Sequence, residues 1–215
     1  MSAAKIAPLL VVFAKAPVPG TVKTRLAAAI GAERAARVYT DLLATTMAHA
    51  HLAWRAGVVS KIELWCTPDC ESPFLRGIAS AFGAVRHRQR EGNLGERMAH
   101  ALEDALERAP AVLVIGSDCP LLDSIRLGEA SAALADKDAV LVPAEDGGYV
   151  LVGARRPLPF DAVRWSTPHA LADTVAGFTR TGIRYALLPV SWDVDDPADL
   201  ARWDALRTDS LLPIA

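Results

Sequence analysis

"AVLVIGSDCPLL", residues 111 to 122, runs from an unbroken apolar stretch into a glycine, a serine, an acid and a proline. Val112–Ile115 reads as a buried strand, and Asp118, set by Gly116 and Pro120, projects from the rim where that strand ends. Working outward, further strands are expected at Leu9–Ala14, Ile62–Cys66, Ala84–Arg88, Ala139–Pro143, Tyr149–Gly153 and Ile183–Leu188. Helical patterns fall between them at Ala32–Arg55, Leu94–Arg108, Ile125–Ala135, Pro168–Arg180 and Pro197–Leu206. Alternation of this kind predicts an α/β fold, a Rossmann-like three-layer α/β/α sandwich around a mainly parallel mixed sheet, formed by one domain over residues 1–215. In such sheets ligands sit beyond the carboxyl ends of the strands, so the loops there carry the functional reading.

The chain is 52% hydrophobic and 22% charged, a globular composition able to bury a sizeable core. A formal net charge of −2 offers no global field for nucleic acid or an anionic membrane, and neither is expected as a partner. No segment approaches the ~18 uninterrupted apolar residues of a membrane span. The apolar run before Lys15 is too short for a secretory segment, so the expected location is the cytoplasm. Cys66, Cys70 and Cys119 form no CxxC pair and read as reduced structural thiols. Absence of HExxH, GxGxxG and GxxxxGK[ST] argues against zinc proteases, dinucleotide oxidoreductases and P-loop NTPases.

Three other loops stand out in the same way, and two shorter stretches join them. "FAKAPVPGTVKTRL", residues 13 to 26, breaks with Pro17, Pro19 and Gly20 and then offers Lys23 and Arg25, with Lys15 before the break; a shaped loop bearing cations suits phosphate. "PAEDGGYVLVG", residues 143 to 153, places Glu145 and Asp146 before Gly147 and Gly148, either a hairpin turn or a point where a sugar or phosphate approaches the backbone while an acid contacts a hydroxyl. "SWDVDDPADL", residues 191 to 200, crowds Asp193, Asp195 and Asp196 before Pro197; Asp196 suits a helix N-cap, and the remaining acids call for a cation. Asp118 has a capping alternative too. In "EGNLGERM", residues 91 to 98, Asn93 to Gly95 reads either as a helix start or as a surface for a nucleotide base, with Arg97 behind it, and Trp165 in "WSTPHA" is a candidate pocket wall.

Taken in order, "FAKAPVPGTVKTRL", "GNLGERM", "GSDCPLL", "AEDGGYVLVG", "WSTP" and "DVDDPADL" resemble a bacterial family of small glycosyltransferase A-like proteins of the nucleotide-diphospho-sugar transferase superfamily. Parts are also similar to 2-phospho-lactate guanylyltransferases. The resemblance implies the nucleotide-diphospho-sugar transferase fold, a Mg²⁺ or Mn²⁺ ion held by Asp118 and Asp195, and phosphate binding by Lys23 and Arg25. This chain has Asp196 and Ala198 where the late motif commonly has Thr and Glu, and it lacks the LxAGxGxRM loop of many sugar nucleotidyltransferases.

The expected activity is glycosyl transfer from a nucleotide-sugar donor to an acceptor that the sequence does not identify. Lys23 steadies the departing diphosphate, and Glu145 or Asp146 deprotonates the acceptor. Lys15, Gly20, Lys23, Arg25, Gly95, Arg97, Gly147, Gly148 and Trp165 are the expected substrate contacts. The alternatives are nucleotidyl transfer, releasing pyrophosphate from a triphosphate, and a non-catalytic nucleotide-binding module.

Overall fold

The computed structural model describes residues 6–209. The elements in chain order are β1 (Leu9–Lys15), α1 (Thr24–Ile30), α2 (Ala32–Arg55), β2 (Lys61–Thr67), α3 (Pro73–Phe82), β3 (Val85–Arg88), α4 (Leu94–Leu106), β4 (Val112–Ile115), α5 (Ser124–Ala133), β5 (Ala139–Pro143), β6 (Tyr149–Ala154), α6 (Ala170–Thr181), β7 (Tyr185–Leu187) and α7 (Pro197–Asp209).

The strands form one seven-stranded sheet in the order β3-β2-β1-β4-β6-β5-β7. Neighbours pair parallel except at β6, which lies antiparallel between β4 and β5. Because β6 runs backwards, its first residue, Tyr149, stands opposite Pro143 at the end of β5, and Leu151 opposite Ile115 at the end of β4. The turn before β6 therefore joins the loops that follow the parallel strands at one rim.

Alternation along β1 explains why both faces are dry. Leu10, Val12 and Ala14 pack with buried residues of α2, α3 and α5, while Leu9 and Val11 pack with those of α4 and α6. Side chains of period two on a strand must point to opposite faces, so an uninterrupted apolar strand requires a helix layer on each. A third cluster joins Leu26 of α1 and Leu42 of α2 to Trp192, Val194 and Trp203, fastening the C-terminal segment to the first helices.

Helices α1 and α3 lie where none was expected. The basic stretch opens into α1 directly at Thr24, so Arg25 is helical and only Lys23 precedes the helix. Gly77 inside α3 masks a pattern that buries Leu75, Ile78 and Ala79 behind Pro73 at the first turn. Helix α6 begins at Ala170, two residues after the expected start, and the last strand is shorter than Ile183–Leu188 because Ile183 belongs to the buried junction before it.

Candidate active site

Asp118 leaves the end of β4 through Gly116 and Ser117, and its backbone oxygen accepts from Val194 N at 3.0 Å. That bond lays residues 193–195 beside the Asp118 turn. The backbone conformation at Lys23, with φ 46° and ψ 50°, is left-handed, which is uncommon for a residue with a side chain. Lys23 Nζ donates to Asp118 Oδ2 at 2.7 Å and to Asp195 Oδ1 at 2.8 Å, and its side chain is only 4% exposed. Burial acts against the ammonium charge, but the Asp118 and Asp195 carboxylates outweigh it and hold the lysine charged well beyond its ordinary range.

Asp193 completes an acidic trio with Asp118 and Asp195, each offering an oxygen within 4.8 Å of the others. Burial, then the neighbouring Asp118 and Asp195 charges, push the Asp193 carboxyl up to about 7, against the pull of Lys23. The lysine alone therefore leaves the carboxylates short of positive charge. An all-oxygen donor set at a cleft suits a hard cation of the Mg²⁺ or Mn²⁺ kind, and these residues fit one. Tyr39 braces the floor: its hydroxyl accepts from Lys15 N at 2.8 Å and lies 3.0 Å from Ser117 Oγ, joining the ends of β1 and β4 through α2.

Two connected chambers open on this centre, sharing Arg25, Asp118, Asp195 and Ser166. The first, about 470 Å³, is lined by Lys15, Lys23, Arg97, Tyr39, Gln89 and Ser117. Arg97 is steered toward Gln89 Oε1 at 3.2 Å, and Gln89 is itself anchored to Trp65 O at 2.7 Å. The second, about 440 Å³, is lined by Met98, Tyr149, Trp165, Asp146, Gly148 and Asp193.

Of the expected contacts, Lys15, Lys23, Arg25, Arg97, Asp118, Asp146, Gly148, Trp165 and Asp195 line these chambers. Glu145 does not. Its carboxylate binds Arg202 Nη1 at 3.0 and 3.1 Å, and Arg202 lies 4.3 Å over the Trp192 ring, so this acid fastens α7 and does not face the trio. Gly20 forms the turn closed by Thr21 N on Val18 O, outside both chambers. Gly95 lines neither chamber: a Cβ there would collide with Trp165 Nε1, so its bareness lets the indole seat against α4. Gly147 combines φ +87° with close approach to Pro168 O, and its own oxygen accepts from Leu171 N. Asn93 and Glu96 form a reciprocal capping box on α4.

The capping alternative for Asp118 is excluded, since α5 is capped by Asp123, which accepts from Ile125 N and Arg126 N. Asp196 does cap α7, accepting from Ala198 N and Asp199 N. Asp193 was legible as part of an acidic run but not as a member of the trio. The available signal is its spacing of two from Asp195 around buried Val194, which in extended backbone puts both acids on one side. Nothing in the sequence marks Tyr39, one residue in an Ala-rich helix.

The model of the family described as "Uncharacterized protein conserved in bacteria (DUF2064)" matches residues 43–167. The chain belongs to this family. The matched region carries Asp118, Asp146 and Trp165, while Lys23, Asp193 and Asp195 flank it. No curated protein matches the chain. Among solved structures, a candidate nucleotide-diphospho-sugar transferase from Desulfovibrio desulfuricans G20 is 28% identical, with TM-score 0.82 over 96% of this chain and 90% of that one. The inositol-1-phosphate CTP transferase from T. maritima is 11% identical, with TM-score 0.62 over 98% of each chain. CMP:2-keto-3-deoxy-manno-octonic acid synthetase complexed with CTP is 13% identical, with TM-score 0.57 over 95% of this chain and all (100%) of that one. The fold is that of the nucleotide-diphospho-sugar transferases, and these structural relatives are transferases.

Proposed function

We propose that this protein is a metal-dependent transferase that moves a glycosyl group from a nucleoside-diphosphate sugar to a hydroxyl-bearing acceptor. The observation that carries this reading is the position of Lys23 and the acidic trio at the junction of a cationic chamber and an aromatic one. The donor's diphosphate suits the first chamber, where Lys15, Arg25 and Arg97 surround the space beside Lys23. Asp118, Asp193 and Asp195 would hold a Mg²⁺ or Mn²⁺ ion, which when bound supplies charge to stabilise the departing diphosphate.

The acceptor oxygen attacks the anomeric carbon, a new C–O bond forms there, and the bond from that carbon to the diphosphate oxygen breaks. The acceptor proton goes to Asp146, which lines the second chamber and uses Oδ1 to accept from Gly148 N at 2.8 Å, leaving its other oxygen for the substrate. The nucleoside diphosphate leaves with its negative charge facing Lys23, held in a fixed place by two part-buried ion pairs, so little reorganisation is needed as charge develops.

The test incubates the protein with Mg²⁺ or Mn²⁺ and pooled nucleotide sugars, and separately with the nucleoside triphosphates plus small phosphorylated acids. Nucleoside diphosphate released in the first pool is the expected result. Pyrophosphate in the second with silence in the first would replace the reading by nucleotidyl transfer. A nucleotide-induced rise in melting temperature without turnover in either pool would point to a binding module.

A further inference from the structure

The two chambers differ in charge. Residues lining only the first include Lys15, Lys23 and Arg97. Among the described residues, those lining only the second include Asp146 and Asp193 and no lysine, arginine or histidine. The arginines beside this second group are already committed. Arg202 is held by Glu145, and Arg164 is held by Asp173 through Nε and Nη2, both at 2.9 Å. Arg25, shared by both chambers, lies 3.7 Å from Asp195 Oδ2.

A phosphate or carboxylate placed in the second chamber would face Asp146, and the cations within its reach are shared: Arg25 lies against Asp195, and an ion on the acidic trio would serve the donor's diphosphate. Phosphate recognition needs the opposite arrangement, clustered guanidinium or ammonium groups or convergent N–H donors. The walls favour something else. Trp165 is fixed edge-on between Phe160, at 5.2 Å, and Tyr149, at 6.1 Å, and rests on bare Gly95. An indole held in this way offers a rigid apolar surface to a ring, while a carboxylate nearby accepts hydrogen bonds from its hydroxyls.

We propose that the second substrate, seated in the chamber of Trp165 and Asp146, is an uncharged hydroxylated ring, a sugar or other polyol free of phosphate and carboxylate. The inference rests on the glycosyl-transfer reading, which assigns the diphosphate to the other chamber, and it adds the chemical class of the acceptor. It also excludes phosphorylated acids as acceptors here.

The test is saturation-transfer NMR on the full chain with free hexoses, their methyl glycosides and hexose 1-phosphates, each measured with and without Mg²⁺ and a nucleoside diphosphate. Neutral sugars are expected to receive saturation and hexose 1-phosphates to receive less at equal concentration. Asp146→Lys should reverse the order, and Trp165→Leu should weaken the neutral sugars; Asp146→Lys lies on an exposed turn and serves as the safeguard if Trp165→Leu misfolds. Hexose 1-phosphates binding the wild type as well as or better than neutral sugars would overturn the proposal. So would neutral-sugar signals unchanged in Asp146→Lys, or no signal from either class. A parallel melting-temperature series with nucleotide and Mg²⁺ on the wild type reports separately on the diphosphate chamber, so the two readings fail independently.

Discussion

Lys23 Nζ lies 2.7 Å from Asp118 Oδ2, an ion pair between residues 95 positions apart in sequence. Its second partner, Asp195, is 172 positions away. Removing the lysine leaves the acids facing one another, whereas removing one acid leaves the lysine a partner and relieves repulsion. Lys23→Met is expected to cost about 2 kcal/mol, below the range for fully buried pairs because Asp118 and Asp195 keep contact with water. Asp118→Asn should change stability by less than about 1 kcal/mol. Mg²⁺ should recover part of the Lys23→Met loss. Urea midpoints with and without Mg²⁺ check all of these, and a Lys23→Met protein as stable as wild type would remove the lysine from the account.

Glu145 and Asp146 are adjacent in sequence but act on different objects. Glu145 pairs with exposed Arg202, so Glu145→Gln should cost less than about 1 kcal/mol and leave turnover of nucleotide sugar near wild type. Asp146→Asn should slow turnover by roughly 10²-fold or more, as expected for loss of a general base. Turnover of the two variants against the same donor pool decides it. Equal losses would return Glu145 to the mechanism.

Gly95→Ala inserts a methyl group where Trp165 Nε1 sits. The expected cost is about 1–3 kcal/mol, as for other overpacked sites, with a shift in tryptophan emission as the indole moves. Unchanged stability and emission would mean that the wall is looser than its packing indicates.

Away from the site, Glu63 is fully buried on β2, yet its carboxylate accepts from Lys61 Nζ at 3.0 Å, Trp65 Nε1 at 3.1 Å and Arg108 Nη2 at 2.9 Å. Burial raises its pKa, but the donors from Lys61 and Trp65 and the charges of His87 and Arg108 outweigh it and hold the group below its ordinary 4.5. A depressed folded-state pKa stabilises the protein above pH 4.5 and loses that contribution as pH falls through the lower folded value. The stability gap between wild type and Glu63→Gln should therefore be widest at neutral pH and close in acid, as read from urea midpoints across that window. A gap that widens in acid would contradict it.

Alternation and apolar runs made most of the sheet legible. Val112–Ile115 and Ala139–Pro143 coincide with their strands because a continuous aliphatic run has few other places to go. Helix α1 was hidden because its first turn carries the cations that draw attention as a loop, and α3 because Gly77 interrupts its apolar pattern. Of the residues the structure brings together, Asp118 and Lys23 were marked by loops at strand ends, and Asp195 by its acidic run and the resemblance of the late motif. The roles of Glu145 and Gly95 were not, because each is set by a partner far along the chain: Arg202 for the acid and Trp165 for the glycine. Local spacing cannot report such partners. Asp193 lies between these cases, named in the acidic run but placed in the trio only once Val194 N is seen to bind Asp118 O.

That same backbone bond ties the centre to a late stage of synthesis. Lys23 and Asp118 emerge long before residues 193–195, so a growing chain can form the early ion pair without the completed trio. Any ligand that needs all the acids recognises only chains that have reached and docked this segment, and it stabilises those chains by mass action while leaving shorter ones unaided. A cation held by all three acids, as proposed above, would thus bind only where chain segments made far apart in time have docked.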